Sequence, residues 1–171
     1  MIKFNLKGGM NMAKEKNIKT NAMRIIEKSG ADMEIINYES NGFMDGVSLA
    51  TKLGYPLEKT FKTLVTKGKS DYFVCVVPVA EEVDLKKAAK VFGEKTLEMI
   101  NVNDILKITG YVRGGCSPVG LKKQFRTVID ASATKFDKIM FSGGRLGSQI
   151  RMSPHDLIRI IDGEVAEITQ Q

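Results

Sequence analysis

With one histidine, two cysteines and no tryptophan in 171 residues, the chain is poorly supplied for several common chemistries. Its soft metal ligands are Cys75, Cys116 and His155, and no spacing motif joins them, so neither a zinc site nor any other metal or cofactor is expected. A disulfide between the two cysteines is not expected in a reducing compartment. Cys75 lies inside the apolar run Y-F-V-C-V-V-P-V and behaves as a small hydrophobe of a buried strand, whereas Cys116 falls in a loop. Cysteine–histidine catalysis is equally ill served, because a thiolate nucleophile needs a base. His155 falls in S-P-H-D-L, where Ser153 reads as a helix N-cap and Pro154 as the first helical residue, which leaves His155 and Asp156 in an exposed first turn.

Long hydrophobic runs are missing too. No stretch approaches the roughly 18 apolar residues of a membrane span. The N-terminus, M-I-K-F-N-L-K-G-G-M-N-M, has neither a long apolar segment nor a small-residue cleavage site, so a cytoplasmic location is expected. Neither G-x-G-x-x-G nor G-x-x-x-x-G-K-[ST] occurs, which removes the motif support for phosphate-cradling nucleotide folds. There is no convincing internal repeat, low-complexity tract or interdomain linker.

The length suits one domain, and 43% hydrophobic with 27% charged residues is ordinary for a globular protein. Residues 1–12 are expected to be a disordered N-terminal extension outside the fold, with Met12-Ala13-Lys14 a reasonable start for a single domain over 13–171. Setting Lys3 and Lys7 aside leaves 24 basic against 20 acidic residues, which lowers the net charge from +6 to +4. That excess permits a polyanionic partner such as RNA without requiring one.

Short helices and strands alternate along what remains. Helices are predicted over Thr20–Ser29, stopped by Gly30, and over Val47–Leu53 behind Asp45 and before Gly54. Leu85–Phe92 has an Asp84 cap, a Gly93 stop and a polar side of Lys86, Lys87 and Lys90 that suits a solvated face or an RNA patch. Further helices are predicted over Val102–Ile108 and Leu157–Ile161. Strands are predicted over Met33–Tyr38, Phe61–Thr66, Tyr72–Val79, Thr96–Ile100, Arg126–Ile129, Lys138–Phe141, Gln149–Met152 and Glu164–Ile168, the second and third joined as a hairpin by G-K-S-D. This mixture argues for an α+β fold, a curled mixed sheet or β-barrel with short helices outside.

Three segments carry the chemistry. Two are glycine-rich loops, G-Y-V-R-G-G-C-S-P-V-G at 110–120 and S-G-G-R-L-G at 142–147, in which glycine lets the backbone approach a ligand and aim N–H groups at an oxygen. The third is the strand T-F-K-T-L-V at 60–65. Side-chain alternation there puts Lys62 on one face with Leu64 and Thr66, and Phe61, Thr63 and Val65 on the other. A lysine so placed can decorate a solvent-facing edge or charge a site.

The ordered set of Tyr38, F-K-T, V-D-L-K-K-A-A-K at 83–90 and the two glycine loops resembles the YbaK/EbsC family of free-standing aminoacyl-tRNA deacylases, relatives of the editing domain of bacterial prolyl-tRNA synthetases, from about Thr20 onward. The resemblance implies an α+β mixed barrel that clears mischarged tRNA at its 3′ acceptor end, above all cysteine on proline tRNA. It implies that the substrate's own thiol attacks the adjacent carbonyl, so that no protein nucleophile is needed. It gives Lys62 the central role, orienting the aminoacyl ester or terminal ribose, with Ser142 and Thr63 hydrogen bonding and Tyr38 lining the pocket. Backbone N–H groups near Gly114, Gly115 and Gly143 would cradle the charge that develops on the carbonyl oxygen, and Gly144, Arg145 and Gln149 complete the binding set. A prolyl-tRNA synthetase is the partner that could supply tRNA identity. Two departures stand out. Gln149 follows the second loop where relatives often carry an acidic residue, and Cys116 occupies a commonly aliphatic position. A deacylase for another small amino acid, or a non-catalytic module that binds tRNA or a synthetase, remains the alternative.

Overall fold

The computed structural model describes residues 2–6 and 18–170. Local signals fix most element ends. Helix α1 (Asn21–Ser29) starts at Thr20, whose Oγ1 accepts the Met23 N–H, and stops at Gly30 in the left-handed region, φ +81°. Helix α2 (Gly46–Leu53) is capped by Asp45. The Asp84 carboxylate accepts the N–H groups of Lys86 and Lys87 at the start of α3 (Leu85–Phe92). Strands β3 (Phe61–Lys67) and β4 (Tyr72–Pro78) form the expected antiparallel hairpin in the register Lys62↔Val77.

Nine strands make two sheets among the described residues. The first has the order β1 (Ile2–Leu6), β2 (Met33–Asn37), β8 (Ser148–Met152), β7 (Ile139–Ser142), and the second β5 (Glu98–Met99), β3, β4, β6 (Arg126–Asp130), β9 (Glu164–Ala166). Parallel and antiparallel pairs occur in both, so the fold is α+β with mixed sheets, as expected. Strand β1 corrects one expectation: residues 2–6, set outside the fold above, pair in parallel with β2. I-K-F-N-L alternates apolar and polar side chains, and the edge of β2 left free by β8 takes it as a partner. Residues 7–12 lie outside the described residues.

Two expected strands contract by two residues or more, and one expected helix divides. The strand at 96–100 contracts to Glu98–Met99 because β5 meets only the far end of β3, at Thr66↔Met99 and Lys67↔Glu98. The strand at 164–168 contracts to Glu164–Ala166. The helix at 102–108 divides into a 3-10 turn, Val102–Asp104, and α4 (Ile105–Thr109).

The core is layered. Between the sheets lie Ile35, Ile139, Phe141 and Ile150 from the first and Phe61, Val65, Val74, Val76 and Ile129 from the second. Met23 and Ile26 of α1 and Leu157 of α5 (Pro154–Ile161) join this layer. The outer face of the second sheet packs Cys75, Val77 and Val128 on Ala88, Ala89 and Phe92 of α3, and the outer face of the first packs Ile36 and Met140 on Leu49 and Leu53 of α2. A bridge between Thr60 and Met140 ties the entry of β3 to β7 and thereby joins the two sheets.

Candidate active site

The free edge of β3 forks, and the fork makes the site. Val79 N–H donates to Thr60 O at 2.9 Å, so the 60↔79 pair exchanges hydrogen bonds with the β4 side. By antiparallel alternation Lys62 and Leu64 also turn their peptide groups toward β4, while Phe61, Thr63 and Val65 turn theirs outward. Outward, β7 claims the start of β3 and β5 its end, where Val65 O accepts Ile100 N–H at 3.2 Å. Thr63 lies in the gap between them. Its Oγ1 is buried and has no hydrogen-bond partner among the described residues, the state expected of a group that waits for a ligand.

A cavity of about 490 Å³ opens at this gap. That volume suits a small-molecule end rather than a whole nucleic acid. Lys62, Thr63, Gly114, Ser142 and Gln149 line it, so five of the ten residues singled out from sequence converge on one space. The Lys62 side chain is 27% exposed, and its ammonium lies 3.8 Å from Glu82, which lines the same cavity. Gln149 is buried beside Ser142, its partner in the β7–β8 register.

The other five residues stand elsewhere, each for a visible reason. Tyr38 is buried under α2 with Leu49, Leu53 and Met140, and the Lys52 ammonium sits 6.0 Å from its ring centre, so its ring packs the outer face of the sheet and is not among the residues lining the cavity. Gly115 N–H already donates to Val112 O, and Gly143 N–H to Ser148 O, both at 2.9 Å. Those two amides hold their own turns and are not available to cradle an oxyanion, which corrects the expected use of both. Gly144 N–H turns to Ser142 Oγ at 3.2 Å. Arg145 folds back on its own loop, donating to Leu146 O at 3.0 Å and to Asn37 Oδ1 at 3.3 Å. It braces the loop against β2 instead of lining the cavity.

The two loops are held by different means. Tyr111 Oη donates to Val119 O at 2.6 Å across the first, and Thr20 Oγ1 donates to Gly143 O at 2.5 Å in the second. They touch where a Cβ on Gly115 would stand 3.0 Å from Arg145 Cα and 3.2 Å from Leu146 N. The glycine at 115 is therefore needed for backbone contact between loops, not for a positive φ. Sequence reasoning passed over Phe43, Asp45, Glu82, Ile100 and Arg113, all of which line the cavity. The apolar pair Phe43-Met44 inside the polar stretch E-S-N-G-F-M-D was the one signal for that wall.

Cys116 also faces the cavity, but burial pushes its thiol from an ordinary 9.0 up to about 11, opposed in part by a hydrogen bond with Thr109. Burial raises Cys75 further, to about 12. Both thiols keep their protons to higher pH folded than unfolded. Their contribution to stability is therefore intact below about pH 8 and is lost as the pH climbs from 9 toward 12. Alkylation by iodoacetamide at pH 8 should be on the order of 100-fold slower in the native protein than in the urea-unfolded chain, and a fast-reacting native thiol would contradict this.

Comparison with known proteins places this architecture. The model of the aminoacyl-tRNA editing domain matches residues 43–160. The chain belongs to the aminoacyl-tRNA editing-domain family. EbsC of Enterococcus faecalis, named a candidate Cys-tRNA(Pro)/Cys-tRNA(Cys) deacylase, is 42% identical over 92% of this chain and 98% of its own. The Escherichia coli K12 protein ProXp-y, a multifunctional Ser/Thr-tRNA deacylase by name, is 24% identical over 82% of this chain and 86% of its own. A crystal structure described as a candidate trans-editing enzyme for prolyl-tRNA synthetase superposes with a TM-score of 0.78 at 20% identity, over 91% of this chain and all of that one, and supports the fold. The family expected from the two glycine loops and the Lys62 strand is the one found. The editing domain is an aminoacyl-tRNA deacylase whose matched region contains both loops, β3 and the whole cavity wall. Among its described residues no helix is long and apolar enough to cross a membrane.

Proposed function

We propose that this editing domain removes cysteine from mischarged tRNA(Pro), and from tRNA(Cys), by letting the substrate thiol attack its own ester carbonyl. In that step a C–S bond forms, the C–O bond to the terminal ribose breaks, the thiol proton ends on the ribose oxygen and a thiolactone departs. The observation that carries this reading is the make-up of the cavity wall. Its thiol, Cys116, is held protonated, its Asp45 carboxylate caps α2, and its Glu82 carboxylate sits beside Lys62. His155 lies exposed on α5, apart from the lining residues. A wall so furnished suits a reaction whose nucleophile arrives with the cargo.

What the protein supplies is position and charge. Lys62 orients the ester or the terminal ribose, Thr63 Oγ1 gains the partner it lacks, and Ser142 and Gln149 bind the aminoacyl group from β7 and β8. Of the glycines proposed for the oxyanion, Gly114 is the one that reaches the cavity. A prolyl-tRNA synthetase is the proposed partner for tRNA identity, since the cavity is sized for an acceptor end alone.

Deacylation time courses on Cys-tRNA(Pro), S-methylcysteinyl-tRNA, Ala-tRNA, Ser-tRNA and Thr-tRNA test the proposal. Cys-tRNA should turn over while the S-methylated and alanyl substrates persist. Comparable turnover of Ala-tRNA would rule out obligatory thiol attack, and turnover confined to Ser-tRNA and Thr-tRNA would align the cargo with that in the name of ProXp-y. Binding without release of any amino acid would make the domain a recognition module.

A further inference from the structure

We infer that Arg113 and Phe43 form a stacking platform for the adenine base of the 3′-terminal nucleotide, an inference that rests on the aminoacyl-tRNA reading above. The Arg113 guanidinium carbon lies 4.1 Å from the centre of the Phe43 ring, a close cation–π contact, and both residues line the cavity. Phe43 is 53% exposed although it is a large apolar side chain. Its ring is seated rather than loose: a Cβ on Gly114 would stand 2.9 Å from Phe43 Cδ2 and 3.0 Å from Leu146 Cδ2. The absence of a side chain at Gly114, which also holds φ at +82°, is what admits the ring. Both glycine loops therefore support it.

The surroundings repeat the pattern. Among the described residues nine large hydrophobic side chains are exposed, and four of them, Phe43, Val47, Met99 and Val102, line this cavity. Two more, Leu106 and Val112, are chain neighbours of the lining residues Ile105 and Arg113. Four of nine gathered along one cavity mark a binding surface and not scattered exposure.

The occupant follows from the geometry of the substrate. Adenine is joined to the same furanose ring that carries the ester, so with the ester against Lys62 and Ser142 the base emerges at the mouth. A purine is a flat, weakly polar surface that stacks on aromatic rings and guanidinium planes. An apolar rim with one planar, weakly hydrated cation fits such a base better than it fits a bare phosphate, for which a strongly hydrated point charge would serve.

A tRNA minihelix with 2-aminopurine in place of the terminal adenine reports stacking directly, since its fluorescence falls when the base stacks. Binding of the wild-type protein, followed in parallel by anisotropy, should quench it. Phe43→Ala and Arg113→Ala should abolish the quenching and raise KM for Cys-tRNA by roughly 5- to 100-fold, with kcat within about threefold. Both side chains are at the surface, so folding is not at stake. Arg113→Lys keeps the charge and loses the plane, and it should restore neither quenching nor KM. Recovery of both by Arg113→Lys would overturn the stacking role, as would wild-type binding with unchanged fluorescence while Cys-tRNA is still turned over. Failure to deacylate any aminoacyl-tRNA would instead bring down the underlying reading.

Discussion

Lys62→Ala should lower kcat/KM for Cys-tRNA by on the order of 100- to 1000-fold and leave the fold in place, the loss typical when one preorganised electrostatic group is removed from a reacting oxygen. The size of the effect comes from where the ammonium sits. At 27% side-chain exposure it lies on the wall of the cavity that Thr63 and Ser142 also line. A charge partly withdrawn from water acts more strongly on a developing oxyanion than one in bulk solvent. The structural cost is small, because the ion pair with Glu82 is 3.8 Å long and its carboxylate is 74% exposed. Such pairs contribute about 0–1 kcal/mol. Turnover by Lys62→Ala at the wild-type rate in a single-turnover deacylation assay, with an unchanged circular dichroism spectrum, would remove Lys62 from the mechanism.

Phe141→Ala should destabilise the protein by about 3–5 kcal/mol, a large share of the roughly 5–15 kcal/mol that holds a domain of this size together. Phe141 is the largest of the fully buried side chains, 0% exposed between the two sheets. Truncation there leaves a void that Ile35, Ile139 and Ile150 cannot fill without moving backbone in three strands. The same residue precedes Ser142 in β7, so the void opens next to the site wall. Urea unfolding should show a lower midpoint with a nearly unchanged slope, and a shift below about 1 kcal/mol would mean that the inter-sheet layer repacks more freely than its burial implies.

Much of the fold was legible because its signals are local. Thr20 and Gly30 bound α1, and Asp84 and Gly93 bound α3, because a cap needs only a side-chain oxygen or a tolerant φ at the right place. Lys62 and the two glycine loops were joined into a set by the resemblance to the deacylase family, because alternation along β3 left the lysine equally suited to a solvent-facing edge. Tyr38 was misplaced because its role depends on which face of β2 receives α2, and that is settled by Leu49, Leu53 and Met140 arriving from distant parts of the chain. The amides of Gly115 and Gly143 were misassigned because a glycine-rich sequence does not reveal which N–H groups a turn consumes internally. Phe43 and Arg113 lie 70 residues apart in sequence and carry no shared motif, so only their contact makes them a pair.

The amino-acid sequence by itself determined the helix caps, the alternating faces of the β3–β4 hairpin and the poverty of protein nucleophiles, since each depends on residue identity over a few positions. The tertiary structure alone decided that β7 and β5 divide one edge of β3 between them and leave Thr63 in the gap. Strand edges are matched through long-range packing of the layers on either side, and the space left over where two partners part is a property of that packing and of no segment within it.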